Sequence, residues 1–252
     1  TFAGIHLEGP YLSPVRCGAH NPKYLRALQL SEIIELIEIG QGTIRMVTIA
    51  PELKGFKESA NILRSYGITV AIGHFNANIQ EIDDAFSDGI NLVTHFTNAM
   101  PKLLSGSHSS ADLILENPNI FLEIILDNVH IPTDQIDLII DQAKDRLVLI
   151  TDSISAAGLL DGEFTIGSAI VNVKDGIARL KENGSLAGST LTMDQAFLNL
   201  YRKTKDLTLA CKASSYLPSK ILQLEGVGQI KEGFKANFVL FSPETETFEV
   251  LE

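Results

Sequence analysis

The stretch GIHLEGPY, residues 4–11, places a histidine and a glutamate on alternate positions of a short apolar run that ends in Gly-Pro. Alternate residues of a strand point to the same face of a sheet, so His6 and Glu8 share a face. Gly-Pro is a turn dipeptide. The pattern therefore predicts a strand that carries a carboxylate to its end, beside a sharp turn.

Five more apolar runs follow this one, and segments with helical spacing lie between them. A repeat of about 25 residues fits a strand with a returning helix and is typical of parallel β/α architecture. Ser31 and Thr133 are the predicted N-caps of two of these helices. Because six units are visible and a closed barrel of this type has eight strands, we expect a (β/α) barrel that is incomplete at the N-terminus. The predicted strands are 2–7, 44–49, 69–72, 92–94, 121–126 and 147–150.

The pattern changes after Asp152. Residues 162–181 read as short antiparallel strands with Gly- and Asp-containing turns, helical periodicity returns over 191–203 and 207–224, and 233–241 and 247–251 read as two further strands. We therefore predict a barrel catalytic domain over 1–225 with a β-hairpin insertion near 162–181. Residues 226–252 are the predicted C-terminal strands of a small β-sandwich domain. A chain that opens in mid-strand without methionine is expected to have lost its natural N-terminus.

Composition limits the classes of partner. The 252 residues are 45% hydrophobic and carry 20 basic against 31 acidic side chains, a formal charge of -11. This balance argues against a nucleic-acid or anionic-membrane partner, and an acidic substrate would need a local basic pocket. The chain has no apolar run of membrane-spanning length. Cys17 and Cys211 are far apart and lack CxxC spacing, which indicates reduced thiols and a cytoplasmic location.

Polar side chains stand at the end of each predicted strand, where active sites of β/α barrels lie. Any one of them alone is more often a hydrogen-bonded rim residue, and Asp152 could simply bond the following turn. Imidazole and carboxylate together suit zinc or iron, so Glu8, His74 and His95 are candidate ligands. Such an ion acidifies water and polarises a carbonyl, and Asp152 would move the proton. The strand-end residues are Glu8, Glu52, His74, His95, His130 and Asp152.

Seven motifs together resemble the N-acetylglucosamine-6-phosphate deacetylases of the amidohydrolase superfamily. They are GIHLEGPYLSPVRCGAHNP, TIAPE, IGHFNA, VTHFTNAMP, DNVHI, LITDS and LAGSTLTM. The resemblance implies a (β/α) barrel with a small β-sandwich domain built from both chain ends. It also implies one divalent ion, most simply zinc or iron, a homodimer, and hydrolysis of an acetamido group to acetate and an amino sugar.

The resemblance assigns roles to individual residues. It implies metal ligation by Glu8, His74 and His95 and proton transfer by Asp152. His6 is expected to pack beside the ligands rather than to bind the ion. Substrate contacts are implied for His20 and His130 with the sugar and acetamido group, for Asn98 and Ala99 with the phosphate, and for Leu186, Ala187 and Gly188 at the acetyl end. His130 would also stabilise the oxyanion.

The sequence departs from the family after Pro101. There the family has an Arg-Glu-Pro-Gly segment whose arginine binds the phosphate, whereas this chain reads KLLSGSHSS over 102–110. Lys102 or His108 could take its place, or the segment is a solvated loop. Lysine does not reproduce bidentate phosphate binding by a guanidinium. The alternatives are therefore an amidohydrolase for an unphosphorylated N-acetyl sugar or another N-acyl compound, and an inactive sugar-binding fragment.

Overall fold

Six parallel strands form a single curled sheet in the computed structural model, which describes residues 2–251. Each strand pairs with the next one along the chain, and a helix lies in every connection. This is the predicted incomplete (β/α) barrel, with β1 and β6 at its two edges. The strands are Ile5–Glu8 (β1), Ile44–Ile49 (β2), Thr69–Ile72 (β3), Leu92–Val93 (β4), Phe121–Ile125 (β5) and Leu147–Ile150 (β6); the helices are Leu30–Gly40 (α1), Phe56–Ser65 (α2), Ile79–Ser87 (α3), Ser110–Glu116 (α4) and Thr133–Ala143 (α5).

The two faces of the sheet differ in chemistry. Residues such as Val47 and Ile72 pack outward against the helices in the main hydrophobic core. The inner face carries a small apolar cluster that includes Met46 and Leu92. Strand side chains alternate between faces, so the next inward-facing residues are two positions further along; these are Thr48 and Thr94, and the inner face turns polar there. The polar layer therefore lies at the carboxyl ends of the strands.

Two predicted helix caps are wrong, Ser31 by two residues and Thr133 by one. Helix α1 begins at Leu30 with Gln29 as its N-cap, so Ser31 lies in the first turn. Helix α5 begins at Thr133, with Pro132 before it. Neither Gln29 nor Pro132 makes a side-chain capping bond. Both have non-helical backbone, with ψ of 125° and 139°, so each helix begins at the residue that follows.

The segment after β6 contains a three-stranded antiparallel sheet, three helices and a hairpin. Phe197 packs edge-on against Phe241 with ring centroids 5.1 Å apart, which attaches the last hairpin to a helix. The predicted domain boundary at residue 225 stays a prediction. Among residues 2–251, none of the helices combines the length and apolarity needed to span a membrane. The elements are Gly162–Ile166 (β7), Ala169–Lys174 (β8), Ile177–Leu180 (β9), Met193–Thr204 (α6), Leu207–Cys211 (α7), Leu217–Ile221 (α8), Phe238–Ser242 (β10) and Thr247–Leu251 (β11).

Candidate active site

Three side chains from separate strand ends meet at one point. Glu8 ends β1, while His74 and His95 follow β3 and β4. Glu8 Oε1 lies 2.6 Å from His95 Nε2 and 3.2 Å from His74 Nε2, and the two imidazole nitrogens are 3.1 Å apart. One ligand atom from each residue falls within 4.8 Å of the others, so the three groups form a possible metal site. Two imidazoles and one carboxylate fit zinc or iron and leave a coordination position open.

The backbone orients these ligands. His74 Nδ1 donates to the carbonyl of Arg16 at 2.7 Å, which places the proton on Nδ1 and leaves Nε2 as the lone-pair atom. His74, His95 and Asp152 all have left-handed backbone, with φ of 50°, 32° and 49°. Such conformations cost roughly 1–3 kcal/mol each and occur at functional sites.

Electrostatics make the carboxylate a cation acceptor. Burial raises the pKa of Glu8, but its hydrogen bonds with His74 and His95 outweigh burial and hold the pKa well below its ordinary value. Burial lowers the pKa of His95, whereas the hydrogen bond and charge of Glu8 raise it to about 9. The cluster therefore retains a negative oxygen and, without a metal, a proton on His95 beside it.

A polar layer supports the ligands from the barrel interior. His6 Nε2 and Thr48 Oγ1 share a hydrogen bond of 2.7 Å, and Thr48 shares another of 2.7 Å with Thr94, the residue before His95. Burial raises the pKa of Glu123, on β5, to about 8, so this side chain is largely neutral at pH 7. His6 thus contacts the polar layer and does not belong to the three-residue cluster.

Asp152 lies just beyond β6 and faces the same cavity as Glu8. Burial raises the pKa of Asp152; the charge on His95 opposes this shift and Glu8 adds to it. The loop of Gly188 and Ser189 pairs with this segment, because Ser189 N donates to the Asp152 carbonyl at 2.7 Å and Ile154 N donates back to Ser189 at 2.9 Å. The loop therefore fixes the backbone that carries the acid.

His130 is held by a residue that the sequence analysis did not single out. Its Nδ1 lies 2.7 Å from Asp127 Oδ2, and its backbone N–H donates to Asp127 Oδ1 at 2.9 Å. Burial raises the pKa of Asp127, and the hydrogen bonds from His130 overcome this effect and lower it. Nε2 is consequently the ring nitrogen available to the cavity. The three-residue spacing in DNVH was a local signal for this pair.

One cavity of about 590 Å³ brings the predicted site residues together. This volume is in the usual range for small-molecule sites. Glu52 is not among the lining residues; its Oε1 accepts from the Asn76 backbone instead, at 2.7 Å. The lining includes Glu8, His20, His74, His95, Asn98, Ala99, His130, Asp152, Leu186, Ala187 and Gly188.

Comparison with known protein families agrees with this geometry. The model of the amidohydrolase family matches residues 1–251, nearly the whole chain. The chain belongs to the amidohydrolase family. As an amidohydrolase it is expected to use a metal, and the site of Glu8, His74 and His95 is where its side chains could hold one.

Several deacetylases are similar to this amidohydrolase. N-acetylgalactosamine-6-phosphate deacetylase of Escherichia coli O157:H7 is 35% identical over 94% of this chain and 63% of its own length. The crystal structure of N-acetylglucosamine-6-phosphate deacetylase from Thermotoga maritima superposes with a TM-score of 0.91 at 36% identity, over 99% of this chain and 68% of the other. A mutant of the Mycobacterium smegmatis deacetylase, in complex with N-acetyl-D-glucosamine-6-phosphate, superposes with a TM-score of 0.92 at 33% identity, over 98% of this chain and 66% of the other.

The coverage is unequal in the two directions. This amidohydrolase spans 63% of the E. coli relative and 61% of N-acetylglucosamine-6-phosphate deacetylase from Vibrio furnissii, which is 30% identical over 96% of this chain. The similarity therefore fixes the family and the barrel fold.

Proposed function

We propose that the protein hydrolyses the acetamido group of N-acetylglucosamine 6-phosphate to glucosamine 6-phosphate and acetate. The observation that carries this proposal is the convergence of Glu8, His74 and His95 in a cavity that also contains Asp152. A sugar-binding module needs neither a metal-ligand set nor a proton-transferring acid beside it. The names of the similar deacetylases supply the substrate class.

The ion would be held by Glu8, His74 and His95, and we propose one zinc or iron ion. When bound, a divalent ion at such a site lowers the pKa of water and polarises a carbonyl. Asp152 takes a proton from the attacking water and delivers it to the departing nitrogen. The water oxygen bonds to the acetyl carbon, the C–N bond breaks, and the nitrogen leaves as the amine.

The remaining side chains orient the substrate. With Nδ1 donating to the Asp127 carboxylate, His130 in its doubly protonated form would donate from Nε2 to the carbonyl oxygen as negative charge develops. We assign His20 to the sugar hydroxyls and Leu186–Gly188 to the acetyl methyl, since both line the cavity. Asn98 and Ala99 are assigned to the phosphate end.

The test is acetate release by the purified protein after reconstitution with zinc or ferrous iron. Asp152→Asn should lower kcat by about 10²- to 10⁴-fold while metal content is unchanged. Asp145→Asn, an exposed aspartate that pairs with Lys212, is the matched control and should behave as wild type. Near-normal turnover of the Asp152 variant would refute its role.

A second sugar is favoured by one comparison. The E. coli relative is named for N-acetylgalactosamine 6-phosphate, which differs in the orientation of one hydroxyl. The substrate panel should therefore contain both phosphorylated N-acetyl sugars and their unphosphorylated forms. A clear preference for one sugar in kcat/KM identifies the substrate.

We also propose a cytoplasmic homodimer. Both cysteines, Cys17 and Cys211, are free thiols in the described part of the chain, which supports a reducing compartment. The dimer rests on the family resemblance, and light scattering after size-exclusion chromatography tests it. A single monomeric species at assay concentrations would contradict it.

A further inference from the structure

The two basic candidates in the segment after Pro101 do not line the cavity. His108 Nε2 lies 3.1 Å from Glu116 Oε2, and both side chains are about half exposed. The carbonyl of Lys102 accepts from Ser109 Oγ at 3.0 Å, which folds the loop onto helix α4. Neither Lys102 nor His108 is among the residues that line the cavity. Within residues 2–251, the segment therefore places no cation on the wall of this cavity.

Arg16 does line the cavity. It is half-buried, and its Nε donates to Asn76 Oδ1 at 3.2 Å. Its backbone carbonyl accepts the proton of His74 Nδ1, so the position of the residue is tied to a metal-ligand candidate. No aspartate or glutamate among the described residues forms an ion pair with Arg16, and its terminal nitrogens have no hydrogen-bond partner there.

The unpaired guanidinium of Arg16 is a positive charge in a cavity that also contains carboxylates. The chain carries a net charge of -11, and the other charged side chains that line the cavity include Glu8 and Asp152. A bound divalent ion would offset those carboxylates at one end and leave Arg16 as a positive group elsewhere on the wall. Guanidinium binds phosphate oxygens through two parallel N–H groups.

The loops that carry Asn76 and Asn98 follow neighbouring strands of the sheet. Asn76, which holds Arg16, follows β3, and Asn98 follows β4, the neighbouring strand in the sheet. Asn98 and Arg16 line the same cavity, and the Asn98 amide makes contacts of 3.3 and 3.5 Å to nearby carbonyls. A phosphate group on this side of the cavity would meet the planar guanidinium of Arg16 on a wall that Asn98 also lines.

We propose that Arg16 binds the phosphate ester of the sugar substrate and replaces the arginine that the family carries after the NAMP motif. The inference rests on the proposed function for the identity of the sugar. It adds a specificity-determining residue: Arg16 accounts for preference between phosphorylated and unphosphorylated N-acetyl sugars, and it takes no part in bond breaking.

The experiment compares kcat/KM on N-acetylglucosamine 6-phosphate and on N-acetylglucosamine for the metal-loaded protein. Arg16→Met should reduce the ratio of the two values by about 10- to 100-fold, the usual effect of losing a charge-assisted bond pair. The ratio for Arg16→Lys should lie between those of the wild type and Arg16→Met, because lysine keeps the positive charge but cannot bind phosphate through two parallel N–H groups. Lys23→Met is the matched control: Lys23 lies in the same loop, is exposed and does not line the cavity, so the ratio should not change.

A binding measurement separates the inference from the proposed function. Titration calorimetry with glucosamine 6-phosphate and with glucosamine needs no turnover, and Arg16→Met should weaken only the phosphorylated ligand. An unchanged ratio in Arg16→Met, or an equal loss on both sugars, overturns the inference. A wild-type protein without phosphate preference overturns it as well while leaving deacetylation intact. If no N-acetyl sugar is hydrolysed, the proposed function fails, and selective loss of phosphate-ligand binding in Arg16→Met still supports the phosphate site.

Discussion

Gly188 contacts the segment that carries the proposed proton-transfer acid, and its replacement by alanine has a calculable cost. Its φ is +56°, and a Cβ built there lies 2.7 Å from Ile154 Cγ2 and 2.8 Å from the Asp152 carbonyl oxygen. Left-handed backbone costs a residue with a Cβ roughly 1–2 kcal/mol. Overpacking adds about 1–3 kcal/mol, since a backbone oxygen must move. We expect Gly188→Ala to destabilise the protein by about 2–5 kcal/mol.

Gly184→Ala is the matched control. Gly184 has φ +73°, and nothing lies within 4 Å of its added Cβ, so the substitution imposes the same backbone strain without the collision. Urea unfolding of both variants gives the two changes in the free energy of unfolding. Their difference should be about 1–3 kcal/mol, or about 2–4 °C in Tm per kcal/mol. Equal destabilisation of the two variants would refute the packing of the 186–189 loop on Asp152.

Three other measurements test the site and the fold. Because Glu8 raises the pKa of His95 to about 9, zinc binding at pH 7–8 should displace a proton from His95, and zinc affinity should fall about tenfold per pH unit on acidification. Calorimetry in buffers of different ionisation enthalpy measures this proton release. If no proton is released, His95 is not a zinc ligand. Gly18→Ala should weaken zinc binding, since its Cβ would lie 2.9 Å from His74 Cε1; unchanged affinity in a metal titration would argue against this contact. Arg146→Met should destabilise the fold by about 2–4 kcal/mol, because the buried carbonyls of Ile120 and Leu115 lose their hydrogen-bond donor. Chemical denaturation measures this loss, and an unaltered unfolding midpoint would contradict it.

The strands were predictable because their signal is local. The bounds expected for 44–49, 69–72 and 147–150 agree with β2, β3 and β6, and the other three strands differ by one to three residues at their ends. Buried parallel strands are short apolar runs between helical segments, and a single sequence shows that pattern. Helix starts were less reliable, as the Ser31 and Thr133 caps show, because the residues that do precede these helices, Gln29 and Pro132, make no side-chain capping bond that a sequence pattern could reveal.

The meeting of the site residues was predictable for a topological reason. In a parallel sheet every strand ends at the same edge, so polar residues at strand ends are brought together whatever the length of the connections. The sequence therefore predicted the group of Glu8, His74 and His95 without any distance. Arg16 was not predicted as a lining residue, because its place depends on a loop that folds over the sheet through a hydrogen bond to Asn76. Such contacts between distant loops leave no periodic pattern.

The strained backbone argues against the inactive-fragment alternative. His74, His95 and Asp152 each adopt left-handed φ, although none of them is a glycine. These conformations occur where two imidazoles meet one carboxylate and where an acid enters the same cavity. If the cluster exists to hold an ion, metal binding should raise Tm in proportion to the logarithm of free metal concentration, and Glu8→Gln should abolish that rise. A Tm that does not respond to zinc or ferrous iron would leave the strain without a function and would favour the inactive fragment.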